Sequence, residues 1–167
     1  LNGTDRVAEC AKKIRADIFV NVQGDEPLIS PISIDKVIEK LINNNDKKVL
    51  ATNACHLIAD AKNIEDKNII KTIFDKNENI LAYSRNIIPY SRDKKHKYFR
   101  QIGLYAFKRR GIELFGKMNS GPIENNETIE MYRIIENGFS VKMVLVKNPS
   151  KSVDTIHDLE DVKKLIR

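Results

Sequence analysis

Tryptophan is absent from the 167 residues of this chain, cysteine occurs only twice, and glycine only seven times. No apolar run approaches the ~18 residues that a membrane-spanning helix needs, so no membrane insertion is expected. Two cysteines cannot frame a disulfide-stapled fold. Cys10 and Cys55 each sit in an apolar-periodic stretch and are expected as small buried hydrophobes in a reducing compartment. No basic-then-apolar leader opens the chain, which leaves nothing to argue for secretion and makes the sequons at Asn2 and Asn126 chance matches. Also missing are a glycine-rich phosphate loop, a dinucleotide fingerprint, a nucleophile elbow and a Cys–His pairing. His56, His96 and His157 stand far apart with no Cys or Asp at ligand spacing, so no zinc site is expected.

Hydrophobic residues make up 41% of the chain, enough for a core in a single domain spanning 1–167. Basic residues outnumber acidic ones by 29 to 23, a formal charge of +6 that favours anionic partners. The compact cluster Lys94, Lys95, His96, Lys97 and Arg100 lacks interleaved aromatics, so it reads as a solvated loop and not as a nucleic-acid patch.

Strand and helix patterns alternate, the signature of an α/β fold. Val7, Cys10, Ala11 and Ile14 recur at helical spacing and predict a helix over 5–14 with those residues buried. Residues 18–22 form a mostly apolar strand of the kind found in buried parallel sheets. Ser30-Pro31 caps a second helix striped by Ile34, Val37, Ile38 and Leu41. Strands are expected over 49–56, 99–107 and 141–146, and a hairpin over 69–74 and 80–84 around the turn 75–79. A helix over 127–137 stops at Asn137-Gly138, and an amphipathic helix covers 157–166.

Five segments carry chemistry. In Val22-Gln23-Gly24-Asp25-Glu26-Pro27 a buried strand ends in polar groups, and ligands of open α/β sheets bind at such ends. Asp25 is therefore a candidate ligand for a divalent metal. Asp154 follows another strand; it reads equally as the cap of the last helix or as a second metal ligand. Arg85, just after a strand, can fork onto a carboxylate or phosphate. Strand alternation puts Gln101, Gly103 and Tyr105 on one face, a polar floor suited to a sugar, or simply a half-exposed strand. Glu124, Glu127, Glu130 and Arg133, spaced at three, read as a solvated helix side or as hydroxyl ligands.

Taken in order, Gly3-Thr4-Asp5-Arg6, Val22 to Pro27, Tyr83-Ser84-Arg85, Ile88-Pro89, Arg100 to Tyr105, Glu127 to Arg133 and Val153-Asp154-Thr155 resemble the 3-deoxy-manno-octulosonate cytidylyltransferase family, the CMP-Kdo synthetases, across nearly the whole chain. The resemblance implies an α/β fold with a Rossmann-like mixed sheet of the nucleotide-diphospho-sugar transferase type. It implies transfer of CMP from CTP to an acid sugar, Mg²⁺ as cofactor, and a cytoplasmic homodimer with contacts in residues ~75–140. Its product would serve lipopolysaccharide or capsule biosynthesis. Carried over by position, Asp25 and Asp154 hold the metal and are the catalytic pair. Gln23, Arg85, Gln101, Tyr105, Glu130 and Met131 line the sugar site, and Thr4 and Arg6 bind the nucleotide. Ser84 and Arg92 also align with polar family positions.

Three departures accompany the match. Family members begin with a strand and a basic triphosphate loop ahead of the segment corresponding to Leu1. The chain is therefore expected to be a C-terminal portion lacking them, with little activity alone and reduced solubility. Gln101 stands where histidine is frequent, and Met131 where glutamine is frequent, which leaves the acid sugar open between Kdo and another nonulosonic acid. An inactive binding module is the rival from a different class.

Overall fold

The computed structural model describes residues 2–92, 96–147 and 150–166. Lys94 and Lys95 of the basic cluster lie outside the described residues. The elements run α1 (Gly3–Ala11), β1 (Ile18–Val22), α2 (Pro31–Ile42), β2 (Val49–Leu57), α3 (Lys62–Glu65), β3 (Lys71–Phe74) and β4 (Ile80–Ser84). They continue with β5 (Phe99–Lys108), α4 (Arg109–Phe115), α5 (Pro122–Glu127), α6 (Tyr132–Glu136), β6 (Ser140–Leu145) and α7 (Ile156–Leu165).

The strands form one mixed sheet in the order β4-β3-β5-β2-β6, with β1 attached to β5. β2 and β6 run parallel, and the β3–β4 hairpin is antiparallel as expected. β1 departs from the expected parallel pairing: it runs antiparallel to β5, with Ile18 opposite Lys108 and Val22 opposite Leu104. Its apolar run reports burial on both faces, not strand direction, since Phe19 enters one core while Ile18 and Val20 pack against the other. β5 divides the same way. Tyr105 and Phe107 face the core under α1 and α4; Ile102, Leu104 and Ala106 face the core under α2. The α2 stripe follows the pattern, with Val37 and Leu41 fully buried and Ile34 and Ile38 beside them.

Two helices differ from expectation. α1 starts at Gly3 because Asn2 caps it: the Asn2 side chain accepts from Asp5 N at 2.9 Å, and Asp5 Oδ2 accepts from Asn2 N at 3.0 Å. Its buried face is Thr4, Ala8 and Ala11, while Cys10 and Ile14 are exposed. Small residues win that face because α1 lies tight against the end of α4, where a side chain at Gly116 would stand 3.0 Å from the Ala8 Cβ. Cys55 is buried as expected. The helix expected over 127–137 is broken. α5 ends at Thr128 in the left-handed region, φ 56°, and α6 starts at Tyr132 and stops at Gly138, φ 78°. Ile129 and Met131 turn into the core across the break, so tertiary burial overrides the local helical pattern.

Candidate active site

β5 gives one edge to β2 along its length. Its other edge is divided, with β1 pairing over Leu104–Lys108 and β3 pairing only with Phe99 and Arg100. The two strands therefore fork away from each other at Gln101–Gly103. A cavity of about 210 Å³ opens in the fork, at the carboxyl end of β1. Gln23, Asp25 and Glu26 line it from the β1 exit, Asn68 to Ile70 from the approach to β3, and Arg85 from the β4 exit. Gln101, Gly103 and Tyr105 form the floor, Glu130 enters from the α5–α6 break, and Ser152 and Asp154 come from the segment before α7.

The floor follows strand alternation. Gln101 Nε2 donates to Tyr105 Oη at 2.7 Å, while the buried Gln101 Oε1 has no partner. Gly103 permits the Gln23 side chain to lie over the strand; a Cβ there would stand 3.1 Å from Gln23 Cβ. Gln23 N donates to Gly103 O at 2.9 Å, which fixes the β1 exit to the floor.

Asp25 and Asp154 are far apart in sequence but belong to joined segments, since Val153 N donates to Asp25 O at 2.8 Å. Thr155, not Asp154, caps α7, in a capping box with Asp158. Asp154 is thereby left to the cavity, where it accepts from the Ser152 hydroxyl at 3.0 Å. Asp25 Oδ1 is buried and has no hydrogen-bond partner. Among the described residues no group of three or more His, Cys, Asp or Glu converges as a metal cage. Magnesium needs none; it takes one or two carboxylates and fills its remaining positions with phosphate oxygen and water. An unpartnered carboxylate oxygen in a cavity that a second aspartate also lines fits that requirement.

Glu26 lines the same cavity next to Asp25. Its Oε1 accepts from Gly103 N at 3.3 Å and lies 3.6 Å from Arg100 Nη2, and its Oε2 is buried without a partner. Burial pushes the Glu26 carboxyl above its ordinary range. The Ser150 hydroxyl, close by but short of hydrogen-bond geometry, and the Arg100 guanidinium pull the other way. Arg100 also donates to Ser150 O at 3.1 Å, holding the strand-to-helix segment that carries Asp154. The sequence sets Arg100 both in a basic cluster that reads as a solvated loop and at the head of the Arg100 to Tyr105 motif; the structure puts it on the floor strand β5.

Glu130 accepts from Gly3 N at 3.0 Å, from Thr4 N at 3.2 Å and from the Thr4 hydroxyl, so its carboxylate sits on the first amides of α1. Burial pushes it up, and the Thr4 and Gly3 bonds counter that. Thr4 itself is fully buried behind Glu130, where it accepts from Asn21 Nδ2 at 3.0 Å, and is not part of the cavity wall. Arg6 is not brought to the cavity either. It pairs with Glu9 at 2.8 Å on the exposed side of α1. Met131, expected at the sugar, is fully buried in the core. The acids expected on one solvated helix side are separated by the break at Thr128. Glu124 pairs with Arg133 in a buried bridge at 2.6 Å, and Glu127 accepts from the Ser84 hydroxyl at 2.9 Å and Arg85 N at 3.2 Å. The Arg85 guanidinium donates to Glu127 O, Lys67 O and Thr128 Oγ1 at 3.2–3.3 Å.

A family model described as cytidylyltransferase matches residues 1–152. The chain is 42% identical over 168 residues to the 3-deoxy-manno-octulosonate cytidylyltransferase of Chloroherpeton thalassium, covering 99% of this chain and 68% of that protein. It is 36% identical over 167 residues to the enzyme of the same name from Chlorobium limicola, with the same 99% and 68% coverage. A solved structure of CMP:2-keto-3-deoxy-manno-octonic acid synthetase complexed with CTP superposes with a TM-score of 0.89 at 30% identity, over 99% of this chain and 68% of that one. No helix among the described residues is long and apolar enough to cross a membrane.

Proposed function

The chain belongs to the cytidylyltransferase family, and on that premise we propose that it serves the transfer of CMP from CTP to the anomeric hydroxyl of 3-deoxy-D-manno-octulosonate, releasing pyrophosphate. The observation that carries the reading is the unbonded, buried Asp25 Oδ1, which shares a cavity with Asp154 and the Arg85 guanidinium.

The chemistry is in-line attack of the sugar hydroxyl on the α-phosphorus, with no covalent enzyme intermediate. Arg85 binds the sugar's carboxylate, the match of a planar fork to a planar anion. Gln23, Gln101, Tyr105 and Glu130 orient its hydroxyls. Thr4 contributes by holding Glu130, and Met131 by filling the core behind it. Asp25 and Asp154 would hold Mg²⁺, which when bound neutralises triphosphate charge and orients the phosphate oxygens. The reading includes a cytoplasmic homodimer that supplies lipopolysaccharide or capsule precursors. Family resemblance supports those parts, and the exposed apolar residues Leu81, Ile87 and Tyr90 within the expected contact region suit a dimer.

A pyrophosphate-release assay with CTP, Mg²⁺ and Kdo tests the reading, on this chain and on the chain extended by any residues encoded upstream. Turnover that needs both substrates supports it. Turnover of a different nonulosonic acid in place of Kdo would move the assignment to that sugar, and CTP binding with no turnover of any acid sugar would favour a binding module.

A further inference from the structure

Lys71 opens β3, in the apolar run Ile69-Ile70-Lys71-Thr72-Ile73-Phe74. A lysine there is expected to turn its ammonium to water, because lysine is rarely buried without a charged partner. Instead it is fully buried. Its Nζ donates to Arg85 O at 2.6 Å, Ile69 O at 2.7 Å and Asp66 O at 2.8 Å. Those three bonds use every proton an ammonium has. Among the described residues its hydrogen-bond partners are neutral carbonyls alone; burial draws its pKa downward and the Arg85 charge adds to that, while the Asp66 and Glu127 carboxylates act on it the other way without bonding to it. A charge placed this way needs a reason beyond packing.

The three carbonyls identify the segments it joins. Asp66 and Ile69 belong to the loop whose Asn68, Ile69 and Ile70 wall the cavity, and Arg85 is the first residue after β4. Lys71 therefore fixes the Arg85 carbonyl while Glu127 fixes the Arg85 N–H at 3.2 Å. The guanidinium spends one N–H each on Lys67 O, Glu127 O and Thr128 Oγ1. Five donors less three leaves one on each terminal nitrogen for a ligand.

We propose that Lys71 is a positioning residue of this site: its buried ammonium ties the 66–70 loop to the exit of β4 and so sets where the Arg85 guanidinium meets the carboxylate of an acid sugar. The last step rests on the functional reading above; the tie itself does not. The site requires a tripod of protons converging from one nitrogen, which neither a thioether nor a planar guanidinium supplies.

The test compares the wild-type chain with Lys71→Met, Lys71→Arg and the control Lys76→Met, an exposed lysine in the β3–β4 turn. Amide hydrogen exchange is read by segment, together with the KM of each substrate. Both Lys71 variants are expected to speed exchange in 66–70 and 85–88 by roughly tenfold or more, with β2 and the β1-paired part of β5 unchanged. The KM for the acid sugar should rise roughly tenfold while that for CTP holds within about twofold. Lys76→Met should match wild type in every readout. Exchange unchanged in both segments, or faster across the whole sheet, would overturn the proposal, as would both KM values rising in step. The KM values are read on whichever form turns over, this chain or the chain extended by residues encoded upstream; if neither turns over an acid sugar, the functional reading fails, and exchange alone decides whether the tie exists.

Discussion

The acids of this chain fall into two groups that look alike in sequence and differ in what their oxygens do. On the α1–α5–α6 side every carboxylate is occupied. Glu124 takes three bonds from Arg133 at 2.6–3.2 Å, Asp5 takes Arg133 at 2.6 Å on one oxygen and Asn2 N at 3.0 Å on the other, and Glu127 divides its oxygens between Ser84 and Arg85. At the exit of β1, by contrast, Asp25 Oδ1 and Glu26 Oε2 are buried with nothing to accept from. Buried acceptors without donors are uncommon and costly, so they mark either a ligand's place or stored strain. The bonded acids tie segments of the fold together, and Asp25, in the unbonded set, is where the proposed function would put a cation.

Removing an oxygen from the open set should erase function and spare the fold. Asp25→Asn is expected to lower turnover by ~10³-fold or more, with the melting temperature within about 2 °C of wild type. Pyrophosphate release and a thermal melt check both halves, and residual activity above about a tenth would remove Asp25 from the mechanism. The reverse holds in the closed set. Glu124→Ala leaves the Arg133 guanidinium buried with Asp5 alone and should cost about 3 kcal/mol in urea unfolding. A loss under about 1 kcal/mol would show that the bridge is replaceable.

Glu26 gives the comparison a pH axis. Burial raises its carboxyl above the ordinary 4.5. The folded state therefore keeps a proton that the unfolded chain has already released, and this group's contribution to stability falls as pH rises from 4.5 through the raised value. Glu26→Gln should flatten that part of the profile of melting temperature against pH; profiles that superimpose would assign the slope elsewhere. The smallest effect belongs to a partly exposed acid. Lys151 and Lys164 hold Asp161 down at about 2, so its ion pairs persist above 3.8 and are lost only as pH falls through about 2. Asp161→Asn should leave the melting temperature at neutral pH unmoved.

Much of this arrangement was legible in the chain. Strands read well because their apolar runs are bounded by turn-forming clusters, and alternation alone set Gln101, Gly103 and Tyr105 against Ile102 and Leu104. Position at strand ends pointed to Asp25, Asp154 and Arg85, and family order supplied the roles expected of them. The misses share a cause: each depends on a backbone event that periodicity does not encode. The left-handed Thr128 sends Met131 inward and Glu130 to the cavity. The Asn2 cap fixes a register of α1 in which Thr4 is inside and Arg6 outside. Direction was illegible for β1, because a strand buried on both faces has the same composition whichever way its neighbour runs.

The floor of the cavity is gauged by one absent methyl group. With Gln23 lying across Gly103, a Cβ at that position would press on Gln23 Cβ at 3.1 Å and on its Oε1 at 3.2 Å, and the glutamine, itself part of the cavity wall, would have to give by a few tenths of an ångström. A glycine codon becomes an alanine codon through a single-base change. The lie of Gln23 on the cavity floor is therefore one mutational step from being disturbed.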